Sequence, residues 1–162
     1  MHNFGEQGMV DQVPESRYAG FARRLVAMVY DSFLLTALFF IVSIPFVLQV
    51  GEQTLTHDPL IRLLYRLVLL LAAFLFFGWF WTHGGQTLGM RAWRLKTIKM
   101  NGLPMDWPAS AVRFTSSLLS LACFGLGFLW ILIDREGLAW HDRLSQTRVV
   151  VEPGKVAPKQ AS

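Results

Sequence analysis

The sequence predicts an all-α protein: a polytopic helical integral membrane protein with two full transmembrane spans, a third apolar segment and a small β-hairpin-like element. Three observations predict it. Hydrophobic residues make up 53% of the 162 residues and charged residues only 16%, against about 25% charged in a typical soluble domain. A water-soluble domain of this size has no interior large enough to hide so much apolar surface. Two apolar runs are long enough to cross a hydrocarbon core of about 30 Å at ~1.5 Å per residue, and two short stretches later in the chain carry strand character.

Residues 1–16 read as a disordered polar leader, with Gly5, Gly8 and Pro14 and no hydrophobic period. Its Glu6, Asp11 and Glu15 are wrong for the apolar region of a signal peptide, so the first apolar run reads as an uncleaved span. Arg17-Tyr18-Ala19-Gly20-Phe21-Ala22-Arg23-Arg24 is a basic, aromatic entry suited to a membrane surface. The first span runs over 25–50 with Asp31 as its single charge, and Pro45 is expected to kink its last turn. A polar loop follows over 51–62. The second span covers 63–81; Arg66 snorkels at one edge, and Trp79 and Trp81 mark the other interface.

Residues 83–109 form a polar, basic connector. Its Gly84-Gly85-Gln86-Thr87-Leu88-Gly89-Met90-Arg91 lacks the Gly-Lys-Ser/Thr ending of a phosphate loop and reads as a turn out of the second span, where glycine permits positive φ. Trp93 to Lys99 alternates apolar and basic residues, a strand period, and Asn101-Gly102 is a turn signal. Pro104 and Pro108 are expected to limit any long element. Thr147-Arg148-Val149-Val150-Val151 is a second strand candidate, able to pair with the first only from the same side of the membrane. Between them lies the third apolar stretch, 114–133, interrupted by Gly125 and Gly127. Two readings stand: one continuous span, or a broken helix that enters and turns back near Gly125. Arg113, Ser117 and Ser120 fall at i, i+4 and i+7, on one helical face turned to the protein or the headgroups.

Lys and Arg exceed Asp and Glu by 15 to 11. Because the basic residues flank apolar spans, the excess points to orientation in the bilayer and contact with anionic lipid headgroups, not to nucleic acid. Arg17, Arg23 and Arg24 precede the first span, and Arg91, Arg94, Lys96, Lys99 and Arg113 lie in or beside the connector. Only Arg62 and Arg66 lie near the loop between the spans. The N-terminus and the connector are therefore expected in the cytoplasm. The basic tail, with Arg135, Arg143, Arg148, Lys155 and Lys159, favours a cytoplasmic C-terminus and so the turned-back reading.

The lone Cys123 excludes an internal disulfide, and His2, His57, His83 and His141 show no metal-ligand spacing. No nucleophile–base arrangement is present, so no enzyme activity, catalytic residue, metal or cofactor is expected. Asp31 is the informative residue. A carboxylate inside an apolar span costs a few kcal/mol unless paired, hydrated or protonated, that is ~2–4 kcal/mol. Arg24 shares its face at i−7 but sits too far along the axis for a close pair, leaving Arg113 or the region from Asp134 to Arg143 to supply partners. Asp31 is then either a proton or cation site or half of a buried ion pair. His141-Asp142 reads as a turn-stabilising hydrogen bond, with a proton shuttle as the alternative.

Four motifs in order carry a resemblance. They are Gly20-Phe21-Ala22-Arg23-Arg24 leading to Asp31; Gly85-Gln86-Thr87-Leu88-Gly89-Met90-Arg91; Phe124-Gly125-Leu126-Gly127-Phe128-Leu129-Trp130 with Asp134; and Trp140-His141-Asp142-Arg143-Leu144-Ser145-Gln146-Thr147. Together they resemble the RDD family of membrane proteins over 17–151, leaving 152–162 as a flexible basic tail. The resemblance implies that Arg24 and Asp31 are the first two residues of the family signature. Asp142 is the last, with Asp134 as the other candidate; Ser145-Gln146 departs from the family's usual Ala-Gly. It also implies a bacterial inner membrane location and, as the leading reading, a transport-related role such as cation or proton exchange or transport of an unknown ligand, with a non-transporting membrane scaffold or accessory subunit as the alternative. A transporter would use Asp31 with Arg24 and Asp142 or Asp134, supported by Arg113, Ser117, Ser120 and His141. A scaffold would use the same charges to hold helices together. Two spans and a short third segment do not enclose a pore, so a homo-oligomer or a membrane-protein partner is expected.

Overall fold

The computed structural model describes residues 19–51, 54 and 57–152; the expected leader over 1–16 and the tail from 153 lie outside the described residues. Helix α1, Phe21–Val50, has 30 residues and runs through Pro45 to Val50. Ser32, Thr36 and Ser43 each donate a hydroxyl hydrogen bond to the carbonyl four residues back, at 2.7, 2.8 and 2.6 Å, and so leave no bare donor in an apolar span. Helix α2, Pro59–Thr82, starts inside the stretch expected to be loop. The Asp58 carboxylate accepts from the Leu60 and Ile61 amides at 2.8 and 3.2 Å, and Pro59 takes the first position, where its missing N–H costs nothing. Tyr65 ties the two helices, its hydroxyl 2.6 Å from that of Ser43 and its ring 5.1 Å from that of Phe46. Both helices are long and apolar enough to cross a membrane. Their faces carry large exposed apolar side chains such as Phe33, Phe40, Ile41 and Leu48, a surface that water would penalise and lipid does not.

The connector folds into a short helix α3, Leu88–Ala92, and a strand β1, Leu95–Lys99. Strand β2, Thr147–Val151, pairs with β1 antiparallel, from Leu95 opposite Val151 to Lys99 opposite Thr147. The pair is not a tight hairpin. The Asn101-Gly102 turn does form, with Gly102 donating to the Lys99 carbonyl and Lys99 to that of Leu103, but the chain then leaves for the next helix instead of returning as a strand.

Helix α4, Trp107–Ala122, begins earlier than expected. Pro108 lies in its first turn, where proline is tolerated, and Asp106 caps it by accepting from the Ala109 amide at 3.1 Å. It ends beside Cys123 with Phe124 and Gly125 in the left-handed region and the Gly125 amide bonded to the Ser120 carbonyl, a Schellman-type stop. Helix α5, Leu126–Leu129, and a turn of 3-10 helix, Trp130–Leu132, then run at 106° to α4. Helix α6, Trp140–Leu144, leads into β2.

Of the two readings of the third apolar stretch, the structure takes the turned-back one. The Met100 amide bonds to the Gln146 carbonyl at 2.8 Å, so the chain returns to the place it left. The aromatic contacts of α4 with α2 all fall between Phe74 and Trp81, near one end of that span. Phe124 projects from the bend almost fully exposed. Ala19, also, bonds through its amide to Val149 on β2, so the entry to α1, the connector and β2 share one end of the molecule. All six tryptophans follow residue 78 in the sequence. In a Cys123→Ser background, single cysteines at the exposed Leu103 and Leu144 are expected to react with an impermeant maleimide from the same membrane face. Labelling from opposite faces contradicts the turned-back segment.

Candidate functional site: a buried polar cluster at one end of the spans

Arg24, Ala27 and Asp31 are the buried residues of α1 and lie at i, i+3 and i+7, one stripe facing the connector and the C-terminal elements. Arg24 sits at the first turn and spreads its guanidinium over four acceptors. Nη1 donates to Asp142 Oδ2 at 2.5 Å, Nε to the Ala19 carbonyl at 3.0 Å, and Nη2 to the carbonyls of Gly137 and Val149 at 3.2 and 3.4 Å. One side chain thus joins the start of α1, the approach to α6 and β2.

Asp142 is fully buried at the third position of α6. Its Oδ2 also accepts from the Ala139 amide at 3.0 Å, the turn-stabilising bond expected of it, and its Oδ1 accepts from Arg113 Nη1 at 2.6 Å. Arg113, on the inward face of α4, donates from the same nitrogen to Thr147 Oγ1 at 2.6 Å and lies 5.3 Å from the centre of the Trp81 ring. Ser145 continues the network, 2.7 Å from the Thr147 hydroxyl and donating to the His141 carbonyl. Two guanidiniums on one carboxylate explain its ionisation. Burial pushes the Asp142 carboxyl up, but Arg113, His141, Arg24 and the Ala139 amide outweigh it and hold it well below the usual carboxylate range.

His141 packs its ring 4.7 Å from that of Phe128, and its Nε2 stands 3.6 Å from Asp142 Oδ1, beyond hydrogen-bond reach. Burial, reinforced by Arg113 and Arg24 and opposed by Asp142, lowers its pKa to about 3. The imidazole is neutral at physiological pH, and the proton-shuttle alternative has no hydrogen-bonded route between it and Asp142. The unfolded chain, with His141 near 6.5, takes up a proton that the folded one refuses, so stability falls as pH drops from about 6.5 towards 3. The depressed Asp142 pKa adds a loss of the same sign below its ordinary value of 3.8. Thermal unfolding of the detergent-solubilised chain is therefore expected to show a falling midpoint from pH 7 to 4. His141→Gln flattens that slope if the argument is right; an equal slope in the variant refutes it.

Asp31 finds different partners from those expected. Neither Arg113 nor the 134–143 region reaches it. Its Oδ2 accepts from the Thr87 hydroxyl at 2.5 Å and its Oδ1 from the Gly89 amide at 2.9 Å, while the Thr87 oxygen accepts from the Met90 amide at 3.2 Å. Asp31 and Thr87 together cap the N-terminus of α3. The arginines are held elsewhere by Asp142, and seven residues along α1, about 10 Å, separate Asp31 from Arg24. The turn can approach because Gly89 has no side chain: a Cβ there would stand 2.9 Å from the Asp31 carboxyl.

Asp134 lies apart from the buried cluster. It accepts from the Leu138 amide at 2.8 Å and from exposed Arg143 at 2.6 Å; the amide first, then Arg143, lower its pKa. Of the two candidates, Asp142 is the aspartate that meets Arg24. Along α4 the polar strip is inward as expected: Arg113 and Ser120 are buried and Ser117 is half-buried, donating to the Arg113 carbonyl at 2.6 Å. Ser120 packs against Gly127, which brings α5 onto α4. Sequence reasoning did not single out Thr87 as a partner of Asp31, although Thr87 preceding a short helical run is an N-cap signal. Among the described residues no group of three or more His, Cys, Asp or Glu is placed to hold a metal.

Two lipid-exposed spans, a turned-back third segment and a polar cluster gathered at one end define a polytopic helical membrane protein. The model of the RDD family matches residues 18–146, four-fifths of the chain, and the chain belongs to that family. No curated protein and no solved structure matches it.

Proposed function

We propose that this chain is a non-transporting membrane scaffold or accessory subunit, whose arginine and aspartate residues lock the ends of its helices into a platform on one membrane face. The observation that carries this reading is that every oxygen of both buried carboxylates is bonded to the protein itself. Asp31 has one oxygen on Thr87 and the other on Gly89; Asp142 divides its two among Arg24, Arg113 and the Ala139 amide. Both residues are at most 5% exposed, so neither carboxylate faces an open path for a travelling ion. The platform carries exposed Arg23, Arg91, Arg94, Arg135 and Arg143, against Arg62 and Arg66 on the first turns of α2. By the positive-inside rule it faces the cytoplasm, with the N-terminus on that side of a bacterial inner membrane.

A scaffold acts through a partner, either a second copy or another membrane protein. Photocrosslinking residues introduced one at a time at Phe33, Phe40, Leu48 and Leu71 in native membranes are expected to yield a protein adduct of discrete mass along one face. Lipid adducts alone at every position contradict the proposal.

The competing reading, exchange of a proton or small cation, draws on one feature: Asp31 has no cationic partner among the described residues. A carboxylate held by a hydroxyl and an amide alone is able to exchange a proton when water reaches it.

A further inference from the structure

An open cleft of about 130 Å³ lies where α2 gives way to the connector, lined by Trp79, Phe80, His83, Gln86, Leu88 and Arg91. Its position is set by the helix end. Trp79, 56% exposed, is on the last turn of a membrane-spanning helix, the level at which indoles meet headgroups. The His83 ring stacks on Trp79 at 3.8 Å between centroids and turns its Nδ1 back to the Trp79 carbonyl at 3.1 Å. Leu88, 39% exposed, forms an apolar wall from α3. Arg91, one turn further along α3, is exposed and makes no ion pair or side-chain hydrogen bond among the described residues. Lys96, Lys99 and Arg143 at this end are engaged, with Glu152, with Asp106, and with Asp134 and Glu136. Arg23, Arg94 and Arg135 are exposed like Arg91, but of these four Arg91 alone lines the cleft.

The geometry points to a site for the phosphate of an anionic glycerophospholipid. Arg91 supplies the planar guanidinium that matches two phosphate oxygens. Trp79 and Leu88 supply the apolar flank along which the glycerol and the first acyl carbons descend towards the exposed face of α2. The cleft meets both chemistries because it lies at the polar–apolar boundary. The free charge beside an exposed tryptophan favours a lipid over a soluble anion: a soluble anion needs no apolar flank and gains nothing from one.

The full-length chain in a neutral detergent, examined by native mass spectrometry with added phosphatidylglycerol, provides the test. The wild type is expected to retain phosphatidylglycerol in preference to phosphatidylcholine. Arg91→Gln removes a charge-assisted contact and is expected to weaken retention about tenfold, and Arg91→Lys, which keeps the charge and loses the fork, by less. Arg23→Gln, an equal loss of charge outside the cleft, should leave retention unchanged. Equal losses in the Arg23 and Arg91 variants mean diffuse attraction and overturn the site, as does unaltered retention in Arg91→Gln. Displacement of the lipid by millimolar inorganic phosphate identifies a soluble-anion site and overturns the lipid assignment. Should Arg91→Gln fail to fold, Arg91→Lys against Arg23→Lys decides on the same criterion: weaker retention in the first alone supports the site, and equal retention in both overturns it.

Discussion

Asp142→Ala is expected to empty the membrane of folded protein. The substitution leaves Arg24 and Arg113, both at most 7% exposed, as buried cations without their counter-charge, and it removes the acceptor for the Ala139 amide. Breaking a buried pair from one side typically costs ~3–5 kcal/mol, a large share of the ~5–15 kcal/mol that holds an ordinary domain together. The loss is not confined to α6, because Arg24 also organises Ala19, Gly137 and Val149. Adding Arg113→Met to Asp142→Ala removes one of the two stranded charges and is expected to recover part of the folded population, measured as monodisperse protein after extraction. Full folding of Asp142→Ala alone contradicts the structural role of the cluster.

Gly89→Ala is expected to have the second largest effect. Its methyl group would overlap the Ala27 carbonyl and stand 2.9 Å from the carboxyl of Asp31, where backbone and a bonded carboxylate have little room to yield. Overpacking of this kind costs ~1–3 kcal/mol, and displacing α3 also separates the Gly89 amide from Asp31. Gly20→Ala is the control: a Cβ there meets nothing within 4 Å and the residue has φ of −60°, so its effect should stay within about 0.5 kcal/mol. Comparable unfolding midpoints for the two variants would remove the close approach of α3 from the account.

The spans were legible because length and apolar content alone determine them, and the strands because their alternation and charge placed both on one side. The starts of α2 and α4 were misjudged for two reasons. The polar residues of 51–62 were read as loop, and Pro108 was weighed as a breaker, whereas Pro59 and Pro108 lie in the first turns of helices capped by Asp58 and Asp106. The break near Gly125 was visible as glycine in an apolar run. That the chain turns back there depended on the pairing of β1 with β2, a contact across more than forty residues that no local pattern encodes. For the site, the helical period exposed the shared stripe of Arg24 and Asp31, and the family motifs pointed to Asp142. The division of labour within it was not legible. Asp31 was the carboxylate expected to need a cation and Asp142 was read as a turn bond, and only the fold decides that Asp142 takes both arginines while Asp31 takes a hydroxyl and an amide.

The central claim, that the buried carboxylates lock the fold and carry no ion, is tested most directly by Asp31→Asn. Asparagine keeps an acceptor for the Gly89 amide and offers an N–H to the Thr87 oxygen, so the cap on α3 is largely retained. The decisive measurement reads protein level and proton or sodium flux on the same proteoliposome preparations, wild type beside variant. The account predicts folded protein in both and flux equal to that of protein-free vesicles in both. Gradient-driven flux in the wild type, abolished in Asp31→Asn at an unchanged protein level, would contradict it.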